Sequence, residues 1–182
     1  MAPFAEAASE GPDADPAGRA RAIALRALAG APRSAAQLRS TLLARDVAEG
    51  VVDEVISRYR EVGLIDDASL AQMIARTRHR ERGLARNAIE RDLRGRGLED
   101  SDIALALAQI SDDDERAAAL ALAQRRWDAL AGVPREARMR RVAAHLGRKG
   151  YAPGAAFDLV RRLERADIWK DREVQPAEED AT

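Results

Sequence analysis

Sliding the 182-residue chain against itself exposes an internal repeat, and that repeat narrows the architectures open to it more than any other feature. Leu42, Leu93 and Leu146 stand 51 and 53 residues apart. Four positions before each come Leu38, Ile89 and Val142; five positions after come Val47, Leu98 and Tyr151. The match runs on through Val52, Ile103 and Ala156, then Val55, Ala106 and Leu159. It ends with Ile56, Leu107 and Val160, and with Tyr59, Ile110 and Leu163. Within a unit these last four positions fall at spacings 0, 3, 4 and 7, one stripe of an α-helix. Each unit therefore reads as ending in two amphipathic helices joined just after the anchor leucine. Gly97 and Gly150, four residues past their leucines, can close a helix in the left-handed conformation, whereas the first unit has the less comfortable Asp46 there.

A further helix is predicted ahead of each pair, at roughly 19–29, 67–81 and 112–130. Leu70, Met73, Ile74 and Thr77 form the apolar stripe of the second, while Ala118, Leu122 and Arg125, flanking Leu120 and Ala121, make a less regular one in the third. The predicted fold is all-α, an elongated tandem array of three three-helix repeats at 19–63, 64–111 and 112–168, with the first opening helix short. Composition agrees, since aromatic residues make up 3% and Ala, Leu and Arg dominate, which favours helices over sheets. Units this small bury a modest fraction of their surface, so the repeats are expected to share a core by stacking. The resulting ribbon suits lying along a polymer better than enclosing a small substrate.

The formal charge of -1 conceals segregation: residues 1–18 carry four acids and no base, 19–149 carry 25 bases against 19 acids, and 150–182 carry 5 bases against 8 acids. Residues 1–18, with Pro3, Pro12 and Pro16, and 169–182 read as acidic disordered tails. Met1 is not followed by a basic segment and an apolar core, and no uncharged run approaches a bilayer span, so a cytoplasmic protein without membrane contact is expected. The absence of cysteine excludes disulfides, thiolate zinc sites and a cysteine nucleophile, and fits a reducing compartment.

The string Gly63, Leu64, Ile65, Asp66, Asp67 opens a stretch continued by Ala71, Ile74, Arg76, Gly83, Ile89, Leu93, Gly97 and Leu98. In these residues and their intervals the chain resembles the RecX family, regulators of the RecA recombinase. The likeness covers residues 20–165 and is most specific in the middle unit. Two positions depart from the pattern, Leu70 where an aromatic is usual and Asp92 where Glu is usual, both within a chemical type. The resemblance implies a non-enzymatic monomer that lies in the helical groove of the RecA filament, against RecA and the single- or double-stranded DNA within it. There it would lower ATP hydrolysis, strand exchange and co-protease activity, in recombination, repair and the SOS response. The alternative reading is a tandem helical DNA-binding module that acts without RecA.

The residues themselves offer a basic surface and little catalytic equipment. No GxxxxGK[ST] phosphate loop, dinucleotide fingerprint or GxSxG elbow occurs, and no cofactor or metal is predicted. Asp66 and Asp67, and the run Asp112, Asp113, Asp114 and Glu115 after Ser111, could be carboxylate sites but read as helix caps. From Arg76 to Arg96 there are eight arginines and three acids. Arg76, Arg80, Arg86, Arg91 and Arg94 are the candidate contacts in this segment. In unit three Arg138, Arg141, His145 and Arg148 share one helical stripe, and Arg138, Arg141 and Arg148 are candidates too. The stripes are not repeat-equivalent, because the corresponding unit-two positions are Ala85, Ala88, Asp92 and Gly95. Arginine facing phosphate and arginine facing acidic protein surface thus remain equal alternatives. Tyr59 and Tyr151 occupy core positions, and Trp127 and Trp169 read as packing residues rather than base-stacking platforms.

Overall fold

The computed structural model describes residues 15–174, with side chains described through residue 168. These residues form nine helices and no strand: α1 (Pro16–Gly30), α2 (Ala35–Leu43), α3 (Glu49–Glu61), α4 (Asp67–Arg82), α5 (Arg86–Gly95), α6 (Asp100–Ala108), α7 (Asp112–Asp128), α8 (Arg135–Arg148) and α9 (Pro153–Val174). The all-α reading holds, and the aligned positions behave alike. Leu38, Leu42, Ile89, Leu93, Val142 and Leu146 are all fully buried. Tyr59, Ile110 and Leu163 close each helical triplet from within its core.

Every unit turns from its second to its third helix by the same hydrogen-bond pattern. The anchor carbonyl accepts from the N–H five residues on: Val47 to Leu42 (3.3 Å), Leu98 to Leu93 (3.4 Å) and Tyr151 to Leu146 (3.2 Å). The next carbonyl accepts from the residue at the fourth position: Asp46 to Leu43 (3.0 Å), Gly97 to Arg94 (2.9 Å) and Gly150 to Gly147 (3.0 Å). This paired closure needs a left-handed residue, and Asp46, Gly97 and Gly150 have φ of 57°, 71° and 93°.

Why the first unit tolerates aspartate follows from the neighbours. A Cβ on Gly97 would come within 2.5 Å of the Ala36 Cβ, and one on Gly150 within 2.5 Å of the Ala88 Cβ and 3.0 Å of the Ala88 backbone nitrogen. Both glycines press on the first turn of the preceding unit's second helix. Among the described residues no unit precedes Asp46 for it to press on.

The carbonyl just before each left-handed residue completes the joint. Arg96 O accepts from Ser34 Oγ (2.5 Å), and Lys149 O accepts from Ala85 N (2.9 Å). Ser34 and Ala85 both stand eight residues before their anchors. In unit one the equivalent Arg45 O takes the Arg19 guanidinium at 2.9 Å instead. The adjoining N–H groups are capped across the joint, Ala35 N by Asp67 Oδ1 (3.0 Å) and Arg86 N by Glu115 Oε1 (2.7 Å).

Several expectations are corrected. Buried residues fall into three clusters, α1–α3 with Val47 and Ile65, α4–α6 with Leu98, and α7–α9 with Tyr151 and Ala85. Each unit thus centres on its own core rather than on a continuous one, with Ile65 and Ala85 of unit two reaching into the cores on either side, and hydrogen bonds cross the joints between them. The first opening helix is not short: α1 has 15 residues and starts inside the segment read as a tail. Asp15 caps it by accepting from Gly18 N at 2.8 Å, and Pro16 sits at its first position, a signal that composition had masked. At the other end α9 runs to Val174, past the expected boundary at 168, because residues up to Pro176 include no helix breaker. The remaining tail readings, 1–14 and 175–182, lie outside the described residues. In α4 the core face is Leu70, Ala71, Ile74 and Ala75, with Met73 and Thr77 exposed; in α7 it is Ala119, Leu122, Ala123 and Trp127, with Leu120 exposed.

Two outcomes follow for stability. Gly150→Ala combines an unfavourable φ with a backbone clash and should cost about 3 kcal/mol in denaturant unfolding, while Asp46→Gly should gain up to about 1 kcal/mol. Tyr151, whose hydroxyl donates to Gly83 O across the second joint (3.1 Å), has its pKa pushed up to about 12, first by burial and then by Glu115. The folded state therefore holds this proton more tightly than the unfolded chain, whose phenol titrates near 10. Its stabilising effect is whole below pH 10 and is lost as pH rises toward 12; Tyr151→Phe should flatten that part of the stability–pH curve.

Candidate docking surface

The eight arginines singled out in the sequence separate into two groups once their neighbours are in place. Arg86 belongs to the joint between units two and three: its Nε donates to Glu115 Oε2 (3.0 Å), and its terminal nitrogen pairs with Asp112. Those two carboxylates hold its pKa above the ordinary arginine value. Arg138 is more deeply committed. Its guanidinium lies 4.0 Å from the Trp127 ring centroid, its Nε donates to Trp127 O (2.9 Å) and its Nη1 to Asp167 Oδ2 (2.7 Å). The same carboxylate accepts from Trp127 Nε1 (3.0 Å), so Arg138, Trp127 and Asp167 tie α7, α8 and α9 together. The Arg138 side chain is only 12% exposed. The helical stripe of Arg138, Arg141, His145 and Arg148 is therefore not a uniform contact surface. Arg94 sits between Glu90 (2.8 Å) and Asp100 (3.1 Å), which neutralise it.

Arg76, Arg80, Arg91, Arg141 and Arg148 are exposed and make no ion pair among the described residues. Arg91 uses its Nε on its own helix, at Asn87 O (3.2 Å). Arg80 lies close enough to Asp114 to help lower that carboxyl's pKa, after the dominant effect of its hydrogen bonds with Ser111. These five side chains are the candidates whose charge is not used within the described residues.

The acidic candidates are accounted for as caps and clamps. Asp66 caps α4, accepting from Ser69 N at 2.8 Å, and this bond lowers its pKa. Asp67 does not cap its own helix; it caps α2 of the preceding unit and meets Arg60 at 3.3 Å. Ser111 and Asp114 form the expected capping box. Asp113 pairs with Arg116 (2.6 Å), and Asp112 and Glu115 serve Arg86, so each carboxylate of that run has a protein partner. Trp127 is buried to 2% and Tyr59 and Tyr151 are core residues, as their positions suggested; the Trp169 side chain lies outside those described. His79 is half-buried, its Nδ1 3.1 Å from Leu84 O.

Known proteins share both the fold and the sequence. Residues 20–58 match RecX, first three-helix domain, and residues 66–107 match RecX, second three-helix domain. Regulatory protein RecX of Streptomyces coelicolor is 44% identical over 151 residues, which span 83% of this chain and 80% of that protein. The chain belongs to the RecX family. Regulatory protein RecX of Thermobifida fusca is 41% identical over 163 residues, covering 85% and 88% of the two chains. The crystal structure of RecX from Lactobacillus salivarius superposes with a TM-score of 0.71 at 20% identity over 83% of this chain and 98% of that one, which extends the shared RecX fold across the third unit. A second crystal structure, of regulatory protein RecX, gives a TM-score of 0.69 at 25% identity over 82% of this chain and 73% of that one. The matched RecX domains each contain one anchor leucine, Leu42 and Leu93, together with its helical triplet.

The two arginine groups should respond differently to truncation. Arg138→Ala removes a ring contact and two charge-assisted hydrogen bonds and leaves Asp167 and Trp127 poorly satisfied, a loss of about 2 kcal/mol in denaturant unfolding. Arg141→Ala, on the same helix, should stay within about 0.5 kcal/mol of the parent.

Proposed function

We propose that this protein is a non-enzymatic cytoplasmic regulator that binds the RecA–DNA filament as a monomer, lying in its helical groove. Bound there, it lowers the filament's ATPase, strand-exchange and co-protease activities, and so restrains recombination, repair and the SOS response. The observation that carries this reading is membership of a family whose relatives are named regulatory proteins, matched over most of both chains. Further support comes from the tandem arrangement, which presents consecutive units in series, each joined to the next through the carbonyl before its left-handed residue. No helix among the described residues is long and apolar enough to cross a membrane. The unpaired Arg76, Arg80, Arg91, Arg141 and Arg148 are the proposed contacts with acidic protein surface or with phosphate.

Added at sub-stoichiometric amounts to RecA on single-stranded DNA, the purified protein should depress ATP turnover. Replacement of Arg76, Arg80, Arg141 and Arg148 together by alanine should raise the amount needed several-fold while leaving the unfolding midpoint unchanged. Unaltered ATP turnover across a wide titration of the parent protein would remove the proposal.

A further inference from the structure

One group of cations, drawn from three helices and including His145 of the unit-three stripe, meets where units two and three join. Arg82 at the end of α4, Arg125 and Arg126 on α7, and His145 and Lys149 at the end of α8 line a cleft of about 460 Å³ at the joint of units two and three. Glu81 is the one carboxylate among the lining residues, so the four permanent cations leave a local charge of +3. Other arginines at helix junctions are matched by acids: Arg39 by Glu49 and Asp53, Arg78 and Arg96 by Asp92, Arg86 by Asp112 and Glu115. No such match is made here among the described residues.

The cations are also held in place rather than left to disperse. Lys149 Nζ donates to Arg82 O (2.7 Å), which pins the end of α8 to the end of α4. Arg125 is steadied by its Nε bond to Ala121 O (3.3 Å). The Arg126 Nε is buried and has no hydrogen-bond partner. A buried N–H on a charged group is costly to leave unsatisfied, and native proteins rarely leave one without a reason. Burial, then Lys149, Arg148, Arg126 and Arg125 in that order, lower the pKa of His145, an independent sign that positive potential is concentrated here.

From this geometry we infer that the cleft is an anion site that receives a backbone phosphate of a nucleic acid, with Arg82, Arg125 and Arg126 as its principal ligands. The density of charge selects a polyanionic backbone over a single protein carboxylate: a net +3 in one cleft, which Leu122 and Ala129 also line, is neutralised by successive phosphates, each releasing counterions as it pairs with a cation. None of the large exposed apolar side chains, among them Leu25, Leu64, Met73, Leu105, Leu120 and Phe157, lines this cleft. The inference is independent of the RecA reading, since it requires only naked nucleic acid.

The test is fluorescence anisotropy of the full chain with a labelled single-stranded oligonucleotide across a salt series, in the absence of RecA. Arg82→Gln with Arg126→Gln should weaken binding about tenfold at low salt and reduce the slope of log K against log salt by about 1.4, the share of two lost phosphate contacts. Because Arg126 is half-buried, Arg82→Gln with Arg125→Gln, both exposed, serves as the second variant and should lower affinity and slope in the same direction. Arg26→Gln with Arg161→Gln, exposed and not among the residues lining the cleft, should stay within twofold of the parent. A parent protein that does not bind the oligonucleotide overturns the inference, as does unchanged affinity in both cleft variants. Variants that keep oligonucleotide affinity but lose their effect on the RecA ATPase also overturn it, and would place an acidic protein surface in the cleft. Failure of the ATPase effect with oligonucleotide loss intact would instead sink the RecA reading alone.

Discussion

The array depends on one backbone event repeated along the chain, a helix closed by a left-handed residue whose preceding carbonyl faces outward. Closure through the anchor carbonyl uses up the hydrogen bonds internal to the turn. It leaves Arg96 O and Lys149 O directed at the start of the preceding unit's second helix, where they accept from the Ser34 hydroxyl and the Ala85 N–H respectively. At the second joint two helix ends of opposite sign thus satisfy each other directly, and at the first the Ser34 hydroxyl stands between them. Only glycine lets the chains come close enough, because a Cβ at Gly97 or Gly150 would occupy the space of Ala36 or Ala88. The joint is thus built around a main-chain carbonyl and a missing side chain, with a hydroxyl as donor at the first joint and an N–H at the second.

Carboxylates at the start of the next unit's opening helix complete that joint and give the acidic motifs their meaning. Asp67 and Glu115 stand at different offsets from their anchors, yet each accepts from the first N–H of the preceding unit's second helix. An acid in the first turn of one helix thereby also complements the amino-terminal dipole of another. The first and third units meet the corresponding groups from within. Unit one satisfies its Arg45 carbonyl with Arg19, and unit three has a longer α8 and commits Arg138 to Trp127 and Asp167.

Charge is sorted by the same assembly. Arg86 and Arg138 are spent on structure, Arg94 is neutralised locally, and Arg76, Arg80, Arg91, Arg141 and Arg148 keep their charge for solvent or a partner. The cleft around Arg126 is a third category, with cations brought together from three helices and left without matching acids. A chain of formal charge -1 can still present strongly positive places, because its acids are used at helix starts and joints.

Periodicity determined the three anchors and the apolar stripe after each, because a helix of fixed pitch converts spacing directly into a shared face. The sequence also foretold, from residue type, the left-handed closures at Gly97 and Gly150 and the capping roles of Asp66 and Ser111, which act within three residues of themselves. What it could not determine was anything set across helices. Leu120 and Leu122 are chemically alike, yet only the packing of α8 and α9 on α7 decides that the second is buried. Arg138 and Arg141 look equivalent on one stripe, but Trp127 and Asp167 reach only the first, from 11 and 29 residues away in the chain. The cationic cleft is the extreme case, joining side chains from residue 82 to residue 149, and the three-dimensional meeting of α4, α7 and α8 creates a field that no local window contains.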